Sequence, residues 1–397
     1  MSGWFTSFLN CRLCIDGQLV RDQLVVSDDT GLILPRTGYI GGDAVDLEDG
    51  IIAPGFLELQ TNGLLGFHFT HFKDAKSYGA EIDKVSKYLV TQGVTGFWAT
   101  IPTVSSADFK QILPSLKPRQ VEEGAGLLGA HAEGPYLHPG KKGAHNESLF
   151  IQPSVSPTEV YGPDGSSSDT LKLVTVAPEL EDSTSLVERL SSQGTRVSLG
   201  HSAASFDQGL AAVKAGATCL THTLNAMAPL HHRDPGLAGL VTVPSTDDSA
   251  SPYFSMIPDG NHLHPSVVAM LFRANPGKAI VITDSIELAG LEDGIYPGHA
   301  QIPHQQRKVG SRVTIDGTET LIGGCASLQE CVRNLIKWSG CNVAEAVKCV
   351  TENVSDFMGL QDRGKLEAGR RADFVVLSDE GEVLQTWVAG MKVWEKR

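Results

Sequence analysis

The chain has 397 residues, of which 41% are hydrophobic and 20% are charged, and its formal net charge is −14. This length suits a barrel of about 200–250 residues together with a smaller module. The sequence has no run of about 20 apolar residues, which excludes a membrane-spanning helix. The acidic charge balance argues against a nucleic-acid partner, because phosphate backbones are bound by clustered Lys and Arg side chains.

The N-terminus and the cysteines favour a cytoplasmic location. The first residues, MSGWFTSFLNCRLC, lack a basic segment followed by an apolar one, so we expect no secretory signal. Seven cysteines are scattered without the spacing of a disulfide framework, which suits a reducing compartment. Cys11 and Cys14 form a C-x-x-C pair, but no second Cys or His pair accompanies them, and placement on a strand explains them better.

Both ends of the chain are predicted to be β-rich. Residues 8–53 alternate apolar and polar positions around turns such as Asp16-Gly17 and Gly41-Gly42. The C-terminal stretch ADFVVLSDEGEVLQTWVAGMKVWEKR has the same character. Because a lone hairpin could not bury its apolar face, we expect residues 1–53 and 361–397 to form one small β-sandwich domain.

Between the ends, short apolar runs alternate with amphipathic stretches at 75–92, 183–193 and 205–215. A glycine suited to a helix C-terminus follows each stretch, at Gly93, Gly194 and Gly216. Strand and helix repeated eight times predict an α/β fold, a (β/α)₈ TIM barrel over residues 54–360. Two helices within 328–360 would close the barrel, and residues 152–170 are predicted to be a loop.

Each of the eight apolar runs ends in polar residues. Active sites of TIM barrels lie at the carboxyl ends of the strands, so these residues are candidates for one common site. The strand-end residues are Gln60 and Asn62, Thr100, His131 and Glu133, Glu179, His201, His222, Asp259 and His262, and Asp284.

Four of these strand ends predict a hydrolytic metal site. A catalytic site of the zinc type needs about three His, Asp or Glu ligands, and Glu133, His201 and His222 meet that requirement. A bound ion lowers the pKa of coordinated water to about 7 and so activates it for attack. Asp284 is the candidate general base, and the later general acid for a leaving amine. A single strand-end histidine is more often structural, but four ends in agreement favour a metal site. His68 and His71 are expected to serve packing.

The motifs along the chain resemble the N-acetylglucosamine-6-phosphate deacetylase family, a branch of the amidohydrolase superfamily. The resemblance covers nearly the whole chain, and the motifs together are highly specific. They are APGFLELQTNG, GAHAEGPYL followed by KKGAHN, LGHS, THTLNAM, HHRDPGLAG, PDGNHLHP, ITDS and GKLEAGRRADFVVL.

The resemblance implies hydrolysis of the acetamide of N-acetyl-D-glucosamine 6-phosphate, in amino-sugar catabolism and recycling. It implies that His145 stabilises the oxyanion on the acetyl carbonyl and that Arg233 binds the phosphate. Arg233 has an alternative, structural role as the partner of Asp234 on its loop. The other implied substrate contacts are Ala144, Asn225, Ala226, His262, Leu321, Ile322 and Gly323.

The resemblance also implies one divalent ion per subunit, expected to be zinc, in a homodimer. Many amidohydrolases end the first strand in His-x-His and hold a second ion there. This chain has Gln60 and Asn62 instead, so a single ion whose waters they support is the better interpretation. Glu-His-His ligation would also accept iron, cobalt or manganese. Ser285 and the Gly323 to Ser327 stretch depart from the family pattern only by exchanges of small residues.

Two alternatives differ in their sequence requirements. A different amidohydrolase, such as a cyclic-amide hydrolase or an acyl amino acid deacylase, would usually carry the first-strand His-x-His. A binding scaffold on the same fold would have no reason to keep Glu133, His201, His222 and Asp284. The deacetylase hypothesis therefore explains the sequence best.

Overall fold

The computed structural model describes residues 4–38, 41–163, 165–244 and 251–397 and has the predicted α/β architecture. The strands are β1 (Phe5–Ile15), β2 (Gln18–Ser27), β3 (Ile33–Leu34), β4 (Asp43–Pro54), β5 (Phe56–Thr61), β6 (Gly63–Leu64), β7 (Phe67–His68), β8 (Val94–Pro102), β9 (Gly126–Glu133), β10 (Leu171–Val176), β11 (Arg196–Leu199), β12 (Cys219–Leu220), β13 (Tyr253–Met256), β14 (Ala279–Val281), β15 (Gly294–Tyr296), β16 (Gln306–Val309), β17 (Arg312–Ile315), β18 (Leu321–Gly324), β19 (Phe374–Leu377), β20 (Val383–Val388) and β21 (Met391–Glu395). The α-helices are α1 (Ala75–Leu89), α2 (Ser106–Ile112), α3 (Pro157–Tyr161), α4 (Ser183–Ser192), α5 (Phe206–Lys214), α6 (Pro265–Ala274), α7 (Leu328–Ser339), α8 (Val343–Lys348) and α9 (Glu352–Met358).

Eight parallel strands form the barrel, in the order β5, β8, β9, β10, β11, β12, β13, β14. The carboxyl end of the first strand, β5, meets the segment that follows the last strand, β14, where the Asp284 amide donates to the Gln60 carbonyl at 2.9 Å. The Asn62 amide donates to the Ser285 carbonyl at 2.7 Å. The strands are buried apolar runs because helices cover one face and core side chains fill the other. The predicted barrel therefore closes and brings its strand ends to one rim.

The barrel helices begin and end at residues with clear capping signals. Ser205 and Gln208 form a capping box at the start of α5, each side chain accepting the other's backbone N–H. The three predicted cap glycines, Gly93, Gly194 and Gly216, have φ values of +82°, +87° and +119°. Only glycine adopts such values without strain, so these predicted helix ends are confirmed.

The two ends of the chain share a seven-stranded sheet in the order β21, β20, β19, β4, β1, β2, β3. The ring centroid of Phe8 on β1 lies 5.0 Å from those of both Phe374 on β19 and Trp387 on β20. Three strand spacings would place β1 and β20 about 14 Å apart in a flat sheet, so the sheet curls around its own apolar core. We propose that residues 1–53 with 361–397, and residues 54–360, are the two domains.

Three elements differ from the predictions. The segment 328–360 contains three helices because Thr351, with φ −135° and ψ −88°, interrupts the second one, and its hydroxyl donates to the Val347 carbonyl at 2.8 Å. Helix α3 lies within the predicted loop 152–170. Strands β15 to β18 form an antiparallel sheet that was not predicted, because short strands at a barrel rim lack a long apolar run.

The helices of the described ranges include none that is both long and apolar enough to span a bilayer.

Candidate active site

Four predicted site residues meet at the carboxyl rim of the barrel. Glu133 ends β9, and His201, His222 and Asp284 follow β11, β12 and β14. The last three residues have φ values of +49°, +30° and +46°. Such backbone costs about 1–3 kcal/mol per non-glycine residue, and it persists where the surrounding structure holds it in place. The rim therefore holds three polar side chains on strained backbone, which is typical of an active site.

Glu133, His201 and His222 present a tight triangle of ligand atoms. Glu133 Oε1 lies 2.9 Å from His222 Nε2 and 3.3 Å from His201 Nε2, and the two Nε2 atoms are 3.1 Å apart. Atoms that bind one zinc ion tetrahedrally at about 2.0–2.1 Å lie about 3.3 Å from one another. The donor set and its spacing therefore fit a divalent transition-metal ion.

His145 lies beside this triangle and extends it. Ligand atoms of Glu133, His145 and His201 also lie within 4.8 Å of one another, so a ligand set with His145 in place of His222 has to be considered. The Thr103 amide donates to His145 Nδ1 at 3.2 Å, so the neutral ring carries its proton on Nε2 and cannot ligate there. Nδ1 of His201 lies 2.8 Å from the Lys141 carbonyl, which leaves its Nε2 unprotonated. The hydrogen bonds of His145 favour a donor role for that ring, which leaves His222 as the third candidate ligand.

The charges of the site are balanced around Glu133. Burial opposes its ionisation, but contacts with His145, His201 and His222 outweigh burial and hold the pKa of Glu133 well below its usual value. Burial also opposes protonation of His222, but Glu133 raises the pKa of that ring to about 9. Burial, reinforced by His145, lowers the pKa of His201 to about 4. One proton on His222 thus compensates the carboxylate, and a bound cation would displace that proton.

Asp284 is held next to the triangle by two side-chain amides. Asn62 Nδ2 donates to Asp284 Oδ1 at 2.8 Å, and Gln60 Nε2 donates to the same oxygen at 3.1 Å. Gln60 Nε2 also donates to Glu133 Oε1 at 3.0 Å. Burial, together with the negative charge of Glu133, raises the pKa of Asp284. A raised pKa makes the carboxylate a stronger base, which suits a general base.

A cavity of about 390 Å³ opens above these residues, within the range of small-molecule sites. It contains all the predicted substrate contacts except Arg233. The predicted residues that line it are Asn62, Glu133, Ala144, His145, His201, His222, Asn225, Ala226, His262, Asp284, Leu321, Ile322 and Gly323. Gln60 reaches the site through its hydrogen bonds and does not line the cavity.

Arg233 lies outside this cavity. It is exposed and lines a separate depression beside Leu230 and Met270, whose side chains are also largely exposed. The alternative partner, Asp234, accepts hydrogen bonds from the Phe206 and Gly236 amides instead. The described ion pairs include none between Arg233 and Asp234. Within one subunit, Arg233 therefore does not line the candidate active site.

One residue of the site, Thr103, was not predicted, and Asp259 was predicted only as a strand-end residue. Thr103 orients His145, and Asp259 Oδ2 lies 2.7 Å from His262 Nδ1. Both follow apolar runs, so their strand-end positions were the available signal. His68 packs on His299, as expected, and it also lines the cavity. Residues 300–302 line the cavity as well, and they belong to the rim sheet segment, which was not predicted.

The chain is similar to known deacetylases. The model of the Amidohydrolase family matches residues 255–393. An N-acetylglucosamine-6-phosphate deacetylase of Caenorhabditis elegans is 36% identical over 98% of this chain and 94% of its own length. An N-acetylgalactosamine-6-phosphate deacetylase of Escherichia coli O157:H7 is 30% identical over 90% of this chain and 96% of its own.

A solved structure extends the comparison to the fold. The N-acetyl-D-glucosamine-6-phosphate deacetylase of Mycobacterium smegmatis, as a mutant in complex with N-acetyl-D-glucosamine-6-phosphate, superposes with a TM-score of 0.83. It is 26% identical, and the match covers 99% of this chain and all of the other. This likeness confirms the TIM barrel. The chain is a deacetylase of the amidohydrolase superfamily and belongs to the N-acetylglucosamine-6-phosphate deacetylase family.

Proposed function

We propose that this enzyme hydrolyses the acetamide of N-acetyl-D-glucosamine 6-phosphate to D-glucosamine 6-phosphate and acetate. The observation that carries the proposal is the triangle of Glu133, His201 and His222 beside Asp284, in a cavity of about 390 Å³. Membership of the deacetylase family supports the same substrate. The reaction would serve amino-sugar catabolism and recycling.

One divalent ion per subunit would be held by Glu133, His201 and His222. Zinc is the proposed ion because two imidazoles and a carboxylate suit it, although the same ligands would accept iron, cobalt or manganese. Such an ion, when bound, supplies a water of lowered pKa and polarises the acetyl carbonyl. Gln60 and Asn62, in place of two histidines, support a single ion.

The side chains around the ion would move the protons. Asp284 accepts a proton from the attacking water; because both amide donors bind Oδ1, Oδ2 is the oxygen left for this transfer. The Nε2–H of His145 donates to the oxyanion that forms on the acetyl oxygen. Asp284 then returns its proton to the leaving nitrogen, and the C–N bond breaks to release the amine and acetate.

The sugar would lie on the side of the cavity formed by the loops after β12 and β13 and by β18. Asn225 supplies an unpartnered buried carbonyl oxygen, Oδ1, and its Nδ2 donates to the His262 carbonyl at 3.2 Å. The other contacts proposed for the sugar are the segments Asn225-Ala226 and 321–323, the imidazole of His262, and Ala144 on the opposite side of the cavity.

We further propose a homodimer in which Arg233 binds the substrate phosphate of the neighbouring subunit. Three observations support this: Arg233 is exposed, it does not line the cavity of its own chain, and exposed Leu230 and Met270 lie beside it. A guanidinium binds phosphate through paired hydrogen bonds. The cytoplasm is the proposed location, because all seven cysteines are free.

The decisive experiment measures free amine released from N-acetylglucosamine 6-phosphate and from unphosphorylated N-acetylglucosamine. We expect turnover of the phosphorylated sugar, a clear preference for it, and a loss of about 10²–10⁴-fold in kcat for Asp284→Asn. Asp169→Asn, an exposed carboxylate in the turn before β10, is the matched control and should keep full activity. Failure to turn over either sugar, or full activity of Asp284→Asn, would contradict the proposal.

A further inference from the structure

The cavity has a second wall, which the proposed sugar contacts, apart from Ala144, do not use. Pro102 and Val104 flank Thr103 in the segment after β8, and Leu149 ends the single turn Glu147–Leu149. All three apolar side chains line the cavity, and Val104 is 4% exposed. In the strand order of the barrel, β8 is four strands away from β12 and β9 is four strands away from β13, so these side chains lie across the rim from the sugar side.

The two segments that hold His145 also form this wall. Thr103 binds His145 through its amide at 3.2 Å and lies 3.0 Å from the same ring nitrogen through its hydroxyl. Leu149 belongs to the loop that carries His145, and its amide donates to the Asn146 carbonyl at 3.1 Å. The apolar wall is therefore fixed relative to the group that binds the acyl oxygen.

The geometry of an amide directs its acyl chain towards this wall. The carbonyl carbon carries an oxygen, a nitrogen and the acyl carbon in one plane, about 120° apart. Under the proposed function the oxygen faces His145, and the nitrogen faces Asp284 and the sugar side. The acyl carbon is bonded to the same carbonyl carbon as that oxygen, so it lies close to the wall that holds His145, which includes the side chains of Pro102, Val104 and Leu149.

We infer that Pro102, Val104 and Leu149 form an acyl pocket that accepts N-acyl chains longer than acetyl. The inference rests on the proposed function and extends its substrate class to N-propionyl and N-butanoyl glucosamine 6-phosphates. Apolar walls gain from each methylene they remove from water, and a hydrophobic pocket discriminates one methylene by only about 10–200-fold.

The pocket favours uncharged chains. Asp108, near the start of α2, also lines this side of the cavity, and its Oδ2 accepts a hydrogen bond from the Ser105 hydroxyl at 2.6 Å. A second carboxylate, such as that of an N-succinyl group, would meet both Asp108 and the apolar wall, and burying an unpaired charge is costly. The substrate class is therefore neutral N-acyl amino-sugar phosphates.

The test compares kcat/KM for N-acetyl, N-propionyl, N-butanoyl and N-succinyl glucosamine 6-phosphate, with amine release as the readout. We expect the wild-type enzyme to hydrolyse the N-propionyl compound within about 10-fold of the N-acetyl one, and to hydrolyse the N-succinyl compound far more slowly. Val104→Phe should lower the ratio of N-propionyl to N-acetyl activity by about 10-fold or more. Leu149→Phe, at a less buried position, provides the same test if Val104→Phe does not fold.

Ile322→Phe, on the sugar side, is the matched control and should lower activity on all N-acyl compounds by a similar factor. The inference is overturned if the wild-type enzyme acts on the N-acetyl compound alone, or if both wall variants leave the N-propionyl to N-acetyl ratio unchanged. A lack of activity on every N-acyl compound would instead overturn the proposed function, and the acyl pocket with it.

Discussion

The Thr103 amide donates a hydrogen bond to His145 Nδ1 at 3.2 Å. A backbone N–H cannot accept, so the neutral imidazole must carry its proton on Nε2, the atom that lies 3.6 Å from Glu133 Oε2. The tautomer that this hydrogen bond selects is the one that can donate to an oxyanion. Thr103 thus determines the chemical role available to His145.

His145→Ala should therefore lower kcat by about 10²–10³-fold with little change in KM, the usual result of removing an oxyanion donor. His145→Gln, which keeps a donor, should recover part of the loss. Steady-state kinetics of both variants, together with metal analysis, check this prediction. A His145→Ala enzyme that loses its metal would instead identify His145 as a ligand.

Gln60→Ala should weaken metal binding by about 10–100-fold, the range found when a partner of a metal ligand is removed. The reason is that Gln60 Nε2 donates to Glu133 Oε1 at 3.0 Å and so orients the carboxylate. Competition with a chelator of known affinity measures the change. Asn62→Ala is the matched comparison, because Asn62 Nδ2 donates to Asp284 and not to Glu133; it should lower activity while metal affinity stays the same.

Arg233→Ala should remove the preference for the phosphorylated sugar, mainly through KM. If the neighbouring subunit supplies Arg233, mixing Arg233→Ala with Asp284→Asn subunits should restore activity, since one active site of the mixed dimer then has both residues intact. Amine release from tagged, co-purified heterodimers measures this. Heterodimers no more active than either parent would show that each subunit uses its own Arg233.

Glu287→Gln should destabilise the protein most at mildly acidic pH. Burial opposes ionisation of Glu287, but His299 at 3.2 Å and its other neighbours hold the pKa of the carboxyl at about 2. The pKa of this carboxyl in the unfolded chain is near 4.5, so at pH values above about 4.5 the lowered pKa stabilises the fold by about 3 kcal/mol. This stabilisation fades as the pH falls towards 2. Burial opposes protonation of His299, but Glu287 outweighs burial and raises the pKa of the ring. The contribution of His299 to the stability of the fold is therefore present below about pH 6.5 and is lost as the pH rises through the pKa of the ring in the folded protein.

Urea denaturation at pH 3, 5.5 and 9 checks this window. The difference between the wild type and Glu287→Gln should be greatest at pH 5.5 and smaller at both extremes. Glu292→Gln, an exposed neighbour, should change little at any pH. A destabilisation by Glu287→Gln that is equal at all three pH values would show that the loss comes from packing and not from the ion pair.

The sequence alone was enough to predict the barrel and the four residues at the centre of its candidate site, because strand ends share one rim in this fold. Parallel strands have their carboxyl ends at one rim, so Glu133, His201, His222 and Asp284 could be placed together from strand periodicity without knowing a single distance. The glycines after three helices were equally local signals, because a positive φ depends on the residue itself.

Only the tertiary structure decided which ring nitrogens carry protons, where Arg233 lies and what forms the second wall of the cavity. Thr103 and His145 belong to different strand-end loops, and their hydrogen bond has no pattern in the sequence. Arg233 follows the loop of His222 in the chain but is exposed and does not line the cavity, because loop direction depends on packing against distant segments. The rim sheet at 294–324 is likewise held by contacts with the barrel and not by a periodic apolar run of its own.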